Sequence, residues 1–88
     1  MRRRDGFVHQ QIGDEHLLVP TGVLVRELNG IVTLNETGAF IWSLLETDCT
    51  MTALADAVAA NFQVDAKAAL VDVEAFVAGM GELGLLEA

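Results

Sequence analysis

Few side chains in this 88-residue chain could do chemistry: the single Cys49, His9 and His16, and the adjacent acids Asp14 and Glu15. A cysteine becomes a nucleophile where a nearby cation or base favours the thiolate. Cys49 lies between Asp48 and Thr50 with no cationic residue near it in sequence, and reads as an ordinary small residue at a helix junction. Having no partner for an internal disulfide, it fits a reducing cytoplasm. His9 and His16 are placed to face one another across a hairpin. Two imidazoles could touch a metal, but a structural site takes four ligands at recognisable spacing. They read as exposed strand histidines, and Asp14-Glu15 as a solvated turn. The chain has no phosphate loop, no Gly-x-Ser-x-Gly and no Cys-x-x-Cys. No catalytic residue, metal ligand or cofactor is therefore assigned, and the chain reads as a non-enzyme. Trp42, the only tryptophan, is either a partly buried packing residue under a sheet or an anchor for a partner, since tryptophan is enriched at hot spots.

These residues sit in a chain long enough for one domain and too short for a multi-domain enzyme. Its 52% apolar content and mean hydropathy of +0.42 exclude a disordered chain. No apolar run reaches the ~18 residues that read as a membrane span. Met1-Arg2-Arg3-Arg4-Asp5-Gly6 is basic and leads into no long apolar core, unlike a signal peptide. Residues 1–6 are expected to be a flexible basic tail ahead of a single domain over residues 7–88. From Asp5 onward there are 2 basic residues against 13 acidic, a net charge of −11. Such a surface repels nucleic acid phosphates and anionic lipid, and suits solubility or a basic protein partner.

The elements that must position any site divide into a strand-like half and a helix-like half. Phe7-Val8-His9-Gln10-Gln11-Ile12 reads as a strand ending at the Gly13-Asp14 turn. His16-Leu17-Leu18-Val19 begins a second strand, where Pro20 and Gly22 predict a bulge or an edge position. Val23 to Leu28 is expected to continue extended, Asn29-Gly30 to form a type I′ turn, and Ile31-Val32-Thr33-Leu34 to return as a short final strand. From Asn35, an N-cap, the apolar period becomes helical, with Phe40, Ile41, Leu44 and Leu45 on one stripe. A second helix from Thr50 or Met51 to Phe62 carries Met51, Leu54, Ala55, Val58 and Phe62. A third, capped by Asp65, buries Leu70, Val73, Phe76, Val77, Met80 and Leu83, with Gly84 at C′ and Leu85-Leu86 folding back. Gly79 and Gly81 should weaken its last turns. The order is βββααα: a two-layer α+β domain whose three-stranded antiparallel sheet is covered by three helices.

Three helices beside a hairpin resemble a winged helix-turn-helix. A nucleic-acid-binding version needs arginines, lysines or amides on its reading helix. Helix 2 has no basic residue, and helix 3 has only Lys67 against Asp72, Glu74 and Glu82. Charge disfavours that reading.

Four segments in order carry a family resemblance: Glu15-His16-Leu17-Leu18-Val19-Pro20; Leu34-Asn35-Glu36-Thr37-Gly38-Ala39-Phe40-Ile41-Trp42-Ser43-Leu44-Leu45; Thr50-Met51-Thr52-Ala53-Leu54-Ala55; and Asp72-Val73-Glu74-Ala75-Phe76-Val77 followed by Leu83-Gly84-Leu85-Leu86. Together they resemble the pyrroloquinoline quinone synthesis protein D (PqqD-like) family, the recognition elements of ribosomal peptide modification. The resemblance implies a winged-helix-like fold without cofactor or catalysis. It implies binding of the leader segment of a precursor peptide and its delivery to a modifying enzyme, often a radical S-adenosylmethionine protein. The chain departs from quinone-pathway members at Gly38 and Ile41-Trp42, where those tend to have alanine and Ile-Leu, and its stretch over residues 21–33 is longer. It is thus expected to serve another peptide pathway.

In the family the leader adds as a strand beside the third strand, in a groove closed by the third helix. That assigns the peptide-binding edge to Ile31, Val32, Thr33 and Leu34. At ~3.3 Å per residue this edge spans about 13 Å and reads roughly four to six leader residues. Ile31 and Thr33 share one face, Val32 and Leu34 the other. Ala69, Leu70 and Val73 are expected to close the groove, though each also fits plain core packing. A subunit that docks on one enzyme without touching peptide stays open as an alternative. Both a monomer and a dimer are compatible with an exposed edge strand.

Overall fold

The computed structural model describes residues 1–22, 25 and 30–87. Its elements are β1 (Arg2–Arg3), β2 (Phe7–Ile12), β3 (Glu15–Pro20), β4 (Val32–Leu34), α1 (Glu36–Leu44), α2 (Met51–Phe62), α3 (Ala66–Glu82) and β5 (Leu86–Glu87). The expected antiparallel sheet forms in the order β2-β3-β4, and three helices follow it. Gly13, with φ of +62°, lets β2 turn tightly into β3. Pro20 ends β3 opposite Phe7, and the Thr21 N–H and hydroxyl both donate to the Gly6 carbonyl at 2.8 Å. The extended run expected over residues 23–28 lies outside the described residues except at Val25, which is helical rather than extended, its N–H donating to the Gly22 carbonyl at 3.3 Å. Of the expected Asn29-Gly30 turn, only Gly30 is described, with φ of +99°.

Each helix starts where a side chain satisfies one of its free N–H groups. Asn35 Oδ1 accepts from Gly38 at 2.7 Å, Thr50 Oγ1 from Ala53 at 3.1 Å, and Asp65 Oδ1 from Ala68 at 2.7 Å. At the end of α3, Gly84 has φ of +74°; its N–H donates to Gly81 at 3.1 Å, and the Leu85 N–H reaches Met80 at 3.0 Å. This is a Schellman stop, with Leu85 buried beside Met80. Gly79 and Gly81 lie inside α3, and a Cβ on either would meet nothing within 4 Å. Gly79→Ala and Gly81→Ala are therefore each expected to stabilise the domain by about 0.5–1 kcal/mol. In a domain of this size that is a rise of roughly 2–8 °C in Tm. A fall in Tm in a thermal melt would mean the flexibility of this turn is used elsewhere.

Two apolar clusters make the core, and α1 bridges them. Ile41 and Leu45 join Leu54, Ala55 and Val58 of α2 and Ala69 and Val73 of α3. Ala39 and Trp42 instead join Leu18 and Leu34 of the sheet, Met80 and Leu85. Trp42 is only 2% exposed, which decides for packing over a partner anchor. Phe7 meets its ring edge-on at 5.9 Å, and the Arg3 guanidinium lies 5.6 Å from the ring centroid.

The N-terminal residues, expected as a tail, are laid along the helical layer. Arg2 and Arg3 pair with Glu87 and Leu86 as β1 and β5. The Arg3 N–H donates to Leu45 at 2.9 Å, its side chain to the Trp42 carbonyl at 3.1 Å, and the Arg4 N–H to Leu85 at 2.8 Å. Arg2 bonds Glu87 at 3.0 Å. The Met1 ammonium donates to Asp48 at 2.5 Å and, through that bond and its charge, holds the Asp48 carboxyl below its ordinary range. The arginines thus meet carboxylates, carbonyls and an aromatic face on elements far away in the chain.

Candidate functional site

Among the described residues β4 pairs only with β3, with Leu34, Thr33 and Val32 opposite His16, Leu17 and Leu18. No described residue pairs with its other edge as a strand, and such an edge, with its outward N–H and C=O groups, is a template for an added strand. Cross-strand partners share a face. Val32 and Leu34 therefore lie on the side of Leu18, toward Trp42 and α3, and Leu34 is buried. Thr33 and Ile31 are exposed, Ile31 at 57%. The expected alternation along residues 31–34 is thus present, although the strand itself begins at Val32.

Beyond the end of β4 opens a cavity of about 340 Å³, lined by Asn35, Thr37, Gly38, Ile41, Asp72, Ala75 and Phe76. Its walls are the start of α1 and the middle of α3. Gly38 keeps them close: a Cβ there would sit 3.1 Å from the Phe76 ring and 3.1 Å from Asn35 Oδ1. Gly38 thus lets the ring pack against the first turn of α1. A second hollow of about 290 Å³, lined by Val19, Pro20, Val25, Gly30 and Ile31, lies at the other end of β4.

The α3 residues expected at the groove are placed differently from one another. Ala69 and Val73 have no exposed surface and belong to the cluster that joins α3 to α1 and α2. Leu70 is 39% exposed. At about 100° per residue, Leu70 and Asp72 stand about 160° apart around the helix. The flank that meets the cavity beside β4 carries Asp72, Ala75 and Phe76. Helical spacing places Val73 and Met80 in the core, but Leu70 and Leu83, expected on the same buried side, are exposed and Ala69 is buried instead. Nothing in the local pattern says which flank faces the sheet.

The other chemistry-bearing residues are occupied with structure. The Cys49 thiol donates to the Leu44 carbonyl at 3.2 Å, and its N–H to Met1 at 2.7 Å. His9 Nε2 and His16 Nδ1 are 2.9 Å apart, diagonal neighbours on β2 and β3. Among the described residues no group of three or more His, Cys, Asp or Glu is placed to hold a metal. No helix among them is long and apolar enough to cross a membrane.

The model of the family described as coenzyme PQQ synthesis protein D (PqqD) matches residues 15–86, from β3 to β5. The chain belongs to the PqqD family. Among solved structures, it is similar to TbiB1 in complex with the TbiA(beta) leader peptide. The two are 28% identical and superpose with a TM-score of 0.76, over 100% of this chain and 96% of the other. No curated protein matches. The PqqD match spans the β4 edge, both cavity walls and the Schellman end of α3, so the site described here lies within the family region.

Proposed function

We propose that this PqqD-family chain is a non-catalytic adaptor. It binds the leader segment of a ribosomally made precursor peptide and presents the remainder to a modifying enzyme. The carrying observation is the open edge of β4 beside the cavity-bearing flank of α3, in a chain similar over its whole length to one solved with a leader peptide. An added strand satisfies the free backbone groups of β4 whatever its sequence, and alternate side chains then supply selectivity. Ile31, Val32, Thr33 and Leu34 supply the edge. Ala69 and Val73 fix α3 against α1 and α2, with Leu70 on its other flank. The adaptor works in the cytoplasm, and the enzyme it serves is a radical S-adenosylmethionine protein.

The test searches the genes beside this chain's own for a precursor peptide and a modifying enzyme, and titrates the labelled leader so found, with duplex DNA and that enzyme in parallel, by anisotropy. Saturable binding of the leader at physiological salt is expected, with none of DNA. Binding of DNA that weakens with salt would favour a winged-helix regulator. Binding of the enzyme alone would make the chain a structural subunit.

A further inference from the structure

We infer that the cavity between α1 and α3 is a specificity pocket for a cationic side chain, lysine or arginine, of the bound peptide; this rests on the peptide-binding reading above. Asp72 is the one charged residue of the lining, and it has no ion-pair partner among the described residues. Phe76 brings an aromatic ring to the same wall, and an aromatic face attracts a cation. Thr37 offers a hydroxyl. Asn35 Oδ1 is already engaged by the Gly38 N–H, which uses up one donor of the α1 N-terminus. That terminus carries roughly half a positive charge. Glu36, in the first turn of α1, offsets it and leaves the Asp72 carboxylate as the net charge of the pocket.

Position links the pocket to the edge strand. The cavity begins at Asn35, directly after Leu34. A peptide residue paired opposite Leu34 points its side chain to the same face as Leu34, the face toward α3. A long side chain at that one position reaches the carboxylate with its charged end, while its methylenes lie along Phe76 and Ala75. Residues next to it in the peptide point to the opposite face of the sheet. The requirement is therefore for a cation at one fixed position, which differs from the general attraction of basic peptides to an acidic domain.

The experiment selects displayed random 12-residue peptides on the wild-type domain, on Asp72→Asn and on Asp72→Lys. Asp72 is exposed, so both variants should fold, as circular dichroism can verify. The wild type is expected to enrich lysine or arginine at one position of an aligned consensus, Asp72→Asn to lose that preference, and Asp72→Lys to replace it by aspartate or glutamate. Changing the cation to alanine in the best wild-type peptide should weaken binding about tenfold. The same change should have little effect on binding to Asp72→Asn. Cations enriched at no fixed position, or one consensus for all three proteins, would overturn the pocket assignment and leave peptide binding intact. Enrichment of no peptide by any of them would overturn the adaptor reading and the pocket with it.

Discussion

Proline placed in β4 is expected to separate peptide binding from folding. Successive residues of a strand direct their backbone groups to opposite edges. Of Val32 and Thr33, one therefore sends its N–H toward β3 and the other toward the open edge. Proline removes that N–H and is tolerated mainly on edge strands. At the outward-facing position the variant should keep a cooperative melt and lose leader binding by roughly 1 kcal/mol or more per lost hydrogen bond. Strand distortion adds to this, so the leader should bind about tenfold more weakly or worse. At the inward-facing position the domain itself should lose stability. Val32 also packs against the sheet-side cluster, so Val32→Ala serves as the control for lost side-chain contact. Circular dichroism melts and leader titrations read the two effects apart. Two variants that both fold and both bind with unchanged affinity would show that the peptide does not use this edge.

Trp42→Ala should bring the domain close to unfolding. The side chain is 2% exposed, lies against Phe7 and Arg3, and sits in the cluster that joins α1 to the sheet. Truncating a buried aromatic costs about 3–5 kcal/mol. A domain of this length holds only ~4–13 kcal/mol in all. Trp42→Phe retains part of the apolar volume and should lose much less. Because Trp42 is the only tryptophan, fluorescence follows wild-type unfolding, and urea melts by circular dichroism compare the variants. A Trp42→Ala protein that melts within about 1 kcal/mol of wild type would mean that another residue joins the two layers.

Much of the fold is legible residue by residue because its signals are local. Asn35, Thr50 and Asp65 each cap the helix that follows within a single turn, and Gly84 stops α3 by a positive φ that suits glycine. The stripes Leu54-Val58 and Val73-Met80 recur at helical spacing and are buried where that spacing places them. The β2–β3 hairpin closes at Gly13, as its alternating strands and turn residues require. The family resemblance drew on the same segments, since capping residues and core stripes make up most of its motifs.

The N-terminal arginines show where locality ends. Read alone, Arg2, Arg3 and Arg4 are a solvated basic run. Their partners, Glu87, the Trp42 ring and the Leu45 and Leu85 carbonyls, come together only when both chain ends meet on the helical layer. The site divides in the same way. Composition and periodicity determined the class of the domain, its acidic balance, a short strand ending at Leu34 that begins one residue later than expected, and Val73 and Met80 as core positions of α3. The packing of α1 and α3 decided that Asp72, Ala75 and Phe76 stand beside the end of that strand, while Ala69 and Val73 are sealed in the core. A cap or a stripe is set by neighbours within a turn or two of chain. The flank a helix offers to a sheet is set by contacts between segments far apart in sequence, and those exist only in the folded molecule.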